Sequence, residues 1–123
     1  MIGIRQGKAW GYTTKIFESQ SVEVYDLEIV KGGYCSVHQH RKINIFHVLS
    51  GKLIVRTWID GKLTDESKLE SGQTTAVYAG FDHQFEALEE TRCIEVYHIF
   101  IEPGDIERKE GSEGGIRNAN DAA

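Results

Sequence analysis

The sequence predicts an all-β domain, a sandwich or small barrel, on three observations. Short stretches rich in Val, Ile, Thr, Tyr and Phe succeed one another along the chain, as in strands that pack one face on a core. Turn signals built on Gly, Asp and Ser part them at the spacing of an antiparallel sandwich or barrel. No stretch carries a 3.6-residue apolar period long enough for a confident helix, and no internal repeat is present. At 123 residues, with a single proline, the chain is sized for one domain.

The elements follow in order. Ser21 to Val30 alternates apolar and polar, but the apolar phase moves from Val22 and Val24 to Leu27 and Ile29, which predicts a β-bulge near Tyr25. Gly32-Gly33 closes that strand and Tyr34 to His40 forms the next. Ile43 to Leu49 is a strand stopped by Ser50-Gly51. Leu53 to Ile59 is another, ended by Asp60-Gly61, a pair suited to a type I′ hairpin because both residues tolerate positive φ. A polar strand, Lys62 to Leu69, precedes Ser71-Gly72. Thr74 to Tyr78, His83 to Leu88 and Arg92 to Ile101 complete the series. Trp10, Phe46, Trp58, Tyr78, Phe85 and Phe100 are expected in the core or at a subunit interface.

After Pro103-Gly104 only Ile106 and Ile116 are aliphatics larger than alanine. Residues 1–104 are therefore read as the barrel and 105–123 as a polar tail, ordered only where the barrel surface or a neighbouring subunit supports it. A net charge of −5 argues against nucleic acid, whose phosphates need clustered Lys and Arg. No apolar run approaches the ~20 residues of a membrane span, and the first residues lack the apolar core of a leader, so the expectation is a cytoplasmic protein without membrane contact. Cys35 and Cys93 are expected as free thiols, and exposed strand residues together with the tail make a homodimer the expected assembly.

His38-Gln39-His40 carries the chemistry. On a strand, side chains at i and i+2 leave the same face, so both imidazoles can reach one ion. His83, just past the turn at Ala79-Gly80, is the candidate third ligand. The remaining histidines stay outside: His47 has the opposite parity to Asn44 on its strand, and His98 is expected to be structural.

The spacing Gly32, His38, His40, Asn44, Gly51 resembles the first motif of the cupin superfamily, with Asn44 at the usual glutamate. Gly72, Tyr78, Ala79, Gly80, His83 resembles the second, with Tyr78 where proline and Ala87 where asparagine are usual. Lys8-Ala9-Trp10-Gly11-Tyr12, Val30-Lys31-Gly32-Gly33, Val48-Leu49-Ser50-Gly51, Ile94-Glu95-Val96 and Gly104-Asp105-Ile106-Glu107-Arg108 are similar to the cupin domain of type II mannose-6-phosphate isomerases. The resemblance implies a jelly-roll β-barrel (double-stranded β-helix). It also implies one divalent metal ion (zinc, iron, manganese or nickel) on His38, His40, His83 and the Asn44 position, and a sugar phosphate as the small-molecule substrate to isomerise or bind. A neutral amide at Asn44 offsets less of the ion's charge than a carboxylate and should weaken the site.

Moving a proton between neighbouring carbons of an aldose and a ketose needs a base and an electrophile. Glu95, on a strand that can face the interior, is preferred as base over Glu86, though both are compatible with a solvated or paired glutamate. Arg41 and Lys42, directly after the ligand pair, are the candidate phosphate partners, and Tyr78 the residue for stacking a sugar. Two alternatives stay open: a non-catalytic module for a sugar or other small metabolite, and a metal-dependent dioxygenase.

Overall fold

A computed structural model describes residues 2–99 and 115–117. Nine strands make up the described residues: β1 (Arg5–Lys8), β2 (Gly11–Glu18), β3 (Val22–Ile29), β4 (Ile43–Ser50), β5 (Lys52–Ile59), β6 (Lys62–Glu70), β7 (Thr74–Val77), β8 (Asp82–Ala87) and β9 (Thr91–His98). They form a six-stranded sheet in the order β1-β2-β3-β9-β4-β7 and a three-stranded sheet in the order β6-β5-β8, all neighbours antiparallel. Alternate residues of both sheets meet in one core that includes Leu27, Phe46, Val48, Leu53, Val55, Phe85 and Cys93. This is the jelly-roll barrel expected for the chain.

The hairpin between β5 and β6 turns at Asp60 (φ 51°) and Gly61 (φ 75°), both left-handed, as a type I′ turn requires. A β-branched residue at Gly61 meets the steric penalty of that region. Gly61→Val is therefore expected to destabilise the fold by ~1–2 kcal/mol, seen as a lower urea midpoint with unchanged slope.

Three sequence expectations change. β3 runs without a break against β9, from Val22↔His98 to Ile29↔Thr91. The irregularity lies instead on β2, where the register shifts between Lys15 and Phe17, opposite Tyr25 and Val24. Glu23 and Tyr25 share the inward face with Leu27 and Ile29, and Val22 and Val24 face out. The phase slip therefore marks a polar stretch of the barrel's interior, not a reversal of the strand.

Tyr34 to His40 is the second change. It forms no ladder strand, only single bridges Tyr34↔Glu86 and His38↔His83. Side chains occupy carbonyls that a neighbouring strand would take: Gln84 Nε2 donates to Cys35 O (3.0 Å), and His38 Nδ1 bonds Ser36 O (2.7 Å). Third, β1 and β2 precede Ser21, where the sequence pattern assigns no strand. β1 is exposed at all four residues and so lacks the apolar alternation that announces a strand.

Among the expected core aromatics, Phe46 and Phe85 are buried, Trp10 packs edge-on against Phe85, and Tyr78 is exposed. The end of the last expected strand beyond Ile99, Phe100, the boundary at 104 and most of the tail lie outside the described residues. Gly115–Arg117 are exposed.

Candidate metal centre

The histidine cluster is assembled where the irregular segment meets β8. His38 and His83 exchange both backbone bonds, His38 N to His83 O at 3.1 Å and His83 N to His38 O at 2.8 Å. Gly80 N donates to His40 O at 2.8 Å, which ties the third histidine to the turn before β8. One side-chain nitrogen from each of His38, His40 and His83 falls within 4.8 Å of the others. The pairing by i and i+2 parity thus holds in space even though its strand does not form.

Hydrogen bonding sets the ring orientation. His38 Nδ1 lies 2.7 Å from Ser36 O, and His83 Nδ1 3.4 Å from Phe81 O. A carbonyl can only accept, so each Nδ1 is the protonated nitrogen and each Nε2 carries the lone pair. His40 Nε2 and His83 Nε2 are buried with no hydrogen-bond partner. Burial, reinforced by His38, lowers the pKa of His83 to about 4, and the same two causes lower that of His40. Three imidazoles with ring nitrogens within 4.8 Å of one another, two of them buried and unpartnered, are the donor set that borderline divalent ions take. The three residues therefore fit such an ion.

Asn44 is 1% exposed on β4. Its Nδ2 donates to Glu95 Oε2 (3.4 Å) and to Val96 O (3.3 Å), while Oδ1 is buried without a partner. The amide nitrogen is committed to Glu95, which leaves the oxygen as the atom able to meet a cation. Glu95 itself is 7% exposed, and burial raises its pKa to about 7 against the opposing effect of Tyr97 and Asn44.

A cavity of about 530 Å³ has His38, His40, Glu95, Tyr97, Tyr25 and Trp10 in its wall and Lys8, Glu23, Arg41 and Lys42 among its charged lining. Arg41 and Lys42 are among the residues that line the cavity. Lys42 Nζ stands 3.9 Å from Glu23 Oε1. Tyr78 is 64% exposed and is absent from this lining, whose aromatic side chains, besides the histidines, are Trp10, Tyr25, Phe85 and Tyr97. Tyr97 stands edge-on to both His40 and Tyr25. Its inward face was legible from parity, being two residues beyond Glu95. Glu23 and Tyr25 were signalled only by the phase slip.

Glu86, the alternative base, and the two histidines expected outside the site have partners elsewhere. Glu86 points outward and pairs with Arg56 at 3.0 Å. His47 Nδ1 bonds Thr74 Oγ1 at 2.7 Å on the outer sheet face. His98 Nδ1 bonds Ile99 O at 2.9 Å. Cys35 and Cys93 are free and buried, with thiol pKa values pushed up by burial to about 11 and about 12, so both remain protonated.

Barrel and cluster together define the class: the chain has the cupin fold. No family model matches the sequence, and no curated protein does. Among solved structures it is similar to KdgF from Halomonas sp. (17% identity, TM-score 0.68, covering 77% of this chain and 86% of that one). It is also similar to an RmlC-like cupin from Shewanella frigidimarina (20% identity, TM-score 0.61, 71% and 74%). A third is the Bacillus subtilis oxalate decarboxylase, a protein with Mn(II) centres (16% identity, TM-score 0.70), of which this chain spans 27% while 77% of its own length is covered. Among the described residues no helix is long and apolar enough to cross a membrane.

Proposed function

We propose that the protein is a metal-binding cupin that takes a sugar phosphate into this cavity and interconverts its aldose and ketose forms. The observation that carries the reading is a buried glutamate, Glu95, protonatable near neutrality and lining the same cavity as His38, His40, Arg41 and Lys42. A divalent ion on His38, His40 and His83, with Asn44 Oδ1 as a further donor, would polarise a sugar oxygen as a Lewis acid. Manganese is among the ions to test, since a structural neighbour has Mn(II) centres.

The chain's own groups divide the remaining work. Glu95 in its ionised form takes the proton from the carbon beside the carbonyl and returns it to the carbonyl carbon, while the proton of the neighbouring hydroxyl passes to the former carbonyl oxygen. Burial raises the pKa of Tyr97, so its phenol stays protonated and serves as a hydrogen-bond donor. Arg41 and Lys42 hold the phosphate, Lys42 by exchanging Glu23 for it.

Because the base is ionised only above its pKa, turnover should rise with pH through about 7. Metal-reconstituted protein incubated with mannose 6-phosphate is expected to yield fructose 6-phosphate, and Glu95→Gln to lose ~10²–10⁴-fold of that rate. Turnover no higher than in the metal-free control rejects the isomerase. The amide at Asn44, tied up with Glu95, favours a second reading as a binding module without turnover. Its sign is a sugar-phosphate-dependent rise in melting temperature with no product.

A further inference from the structure

The cavity at the histidine cluster does not end at Trp10. A second concavity of about 580 Å³ adjoins it, and the two share Lys8, Trp10, Cys35 and Ser36. Past that shared wall it is lined by residues of the turn after β3, among them Val30, Lys31, Gly33 and Tyr34.

Its floor is packed backbone. Val30 N donates to Trp10 O at 3.0 Å, Gly33 N to Val30 O at 2.8 Å, and Ala87 N to Gly33 O at 2.9 Å. A Cβ added at Gly33 would lie 2.8 Å from Trp10 O and 2.9 Å from Val30 O, so the backbone is packed tightly against that residue. Tyr34 is 62% exposed and Val30 52% exposed, leaving apolar surface in solvent on a concave wall. The charged groups in this lining are Lys8 and Lys31, with no carboxylate among them. That is a local positive site on a chain of net charge −5. An apolar, aromatic wall with nearby cations suits a sugar ring that carries an acid group.

We propose that this concavity is a second sugar subsite. The ligand of the cluster is then an acidic sugar of at least two linked rings, its second ring on Trp10 and Tyr34 and the acid group of that second ring on Lys8 and Lys31, while Arg41 and Lys42 keep the acid group of the first. This rests on the sugar-binding reading of the first cavity and extends it to the length of the ligand. The anion can be a phosphate or a carboxylate, and the same lysines serve either.

Calorimetric titration of zinc-loaded protein separates the cases with two pairs of probes: mannose 6-phosphate against a mannobiose phosphorylated on both rings, and galacturonate against digalacturonate. In at least one pair the two-ring probe is expected to bind tenfold or more tightly than its one-ring partner, and the pair that shows the gain identifies the acid group. The double variant Lys31→Ala/Tyr34→Ala should erase the gain while leaving one-ring affinity and melting temperature unchanged, since both side chains are exposed and lie outside the first cavity. A gain that persists in the double variant overturns the subsite. One-ring binding with no two-ring gain overturns it too, and leaves the reading of the first cavity standing. Binding of none of the four probes overturns both.

Discussion

Replacing His83 with alanine is expected to lower zinc affinity by at least ~100-fold, a larger loss than the 10–100-fold typical of residues that merely support a ligand. His83 is 1% exposed, its Nε2 is unpartnered, and burial keeps its ring neutral. Removing it takes away one of three converging lone pairs that neighbouring backbone cannot replace. Competition with a chromogenic chelator reads the affinity directly. Because His83→Ala also opens a void in the core, His38→Ala is the companion variant. His38 is only half-buried, so a parallel loss of affinity with an unchanged circular dichroism spectrum assigns the effect to ligation. Wild-type affinity in His38→Ala would remove that residue from the site.

The second large effect is on stability and concerns Glu95 in metal-free protein. Below pH 4.5 the carboxyl is protonated in folded and unfolded chains alike. Between 4.5 and about 7 the folded chain keeps the proton and the unfolded chain releases it, so stability falls as pH rises across that window. Above about 7 the loss is complete, with an upper bound of ~3 kcal/mol at 1.36 kcal/mol per pKa unit. Glutamine cannot ionise, and its side-chain oxygen can still accept from Asn44 Nδ2. Urea denaturation should therefore show Glu95→Gln gaining on the wild type from pH 5 to pH 8 by up to ~3 kcal/mol. Parallel pH profiles would mean that Glu95 is not held in a desolvated site.

The pattern of legibility follows from what each signal measures. The histidine cluster was readable because two-residue parity and the flanking glycines describe backbone geometry, and geometry survives when a strand dissolves into single bridges, as Tyr34 to His40 does. Asp60-Gly61 was readable because positive φ is a property of the residues themselves. Alternation, by contrast, reports polarity and not direction. At Glu23 and Tyr25 an inward face turns polar where it reaches the cavity, and the change looks like a bulge. Strand alternation favoured Glu95 over Glu86 but left a solvated or paired role open for both, and the partners settle it, placing Glu86 beside Arg56 on the outer face and Glu95 beside Asn44 in the interior. Tyr78 seemed near the ligands because it is near them in sequence, yet the turn through Gly80 sends its side chain into solvent. Lys8 and Trp10 come from the start of the chain, whose place over the cavity depends on the hairpin of β1 and β2 at the sheet edge, and β1, exposed at all four residues, carries no apolar alternation to announce it.

The central claim, a divalent ion on His38, His40 and His83, is tested most directly by elemental analysis of protein purified without an affinity tag. The account predicts about one divalent transition-metal ion per chain in the wild type and almost none in His38→Ala, as three imidazoles with open positions hold one such ion. A wild-type protein that neither contains such an ion nor takes one up on reconstitution, or a His38→Ala variant with undiminished metal, would contradict it.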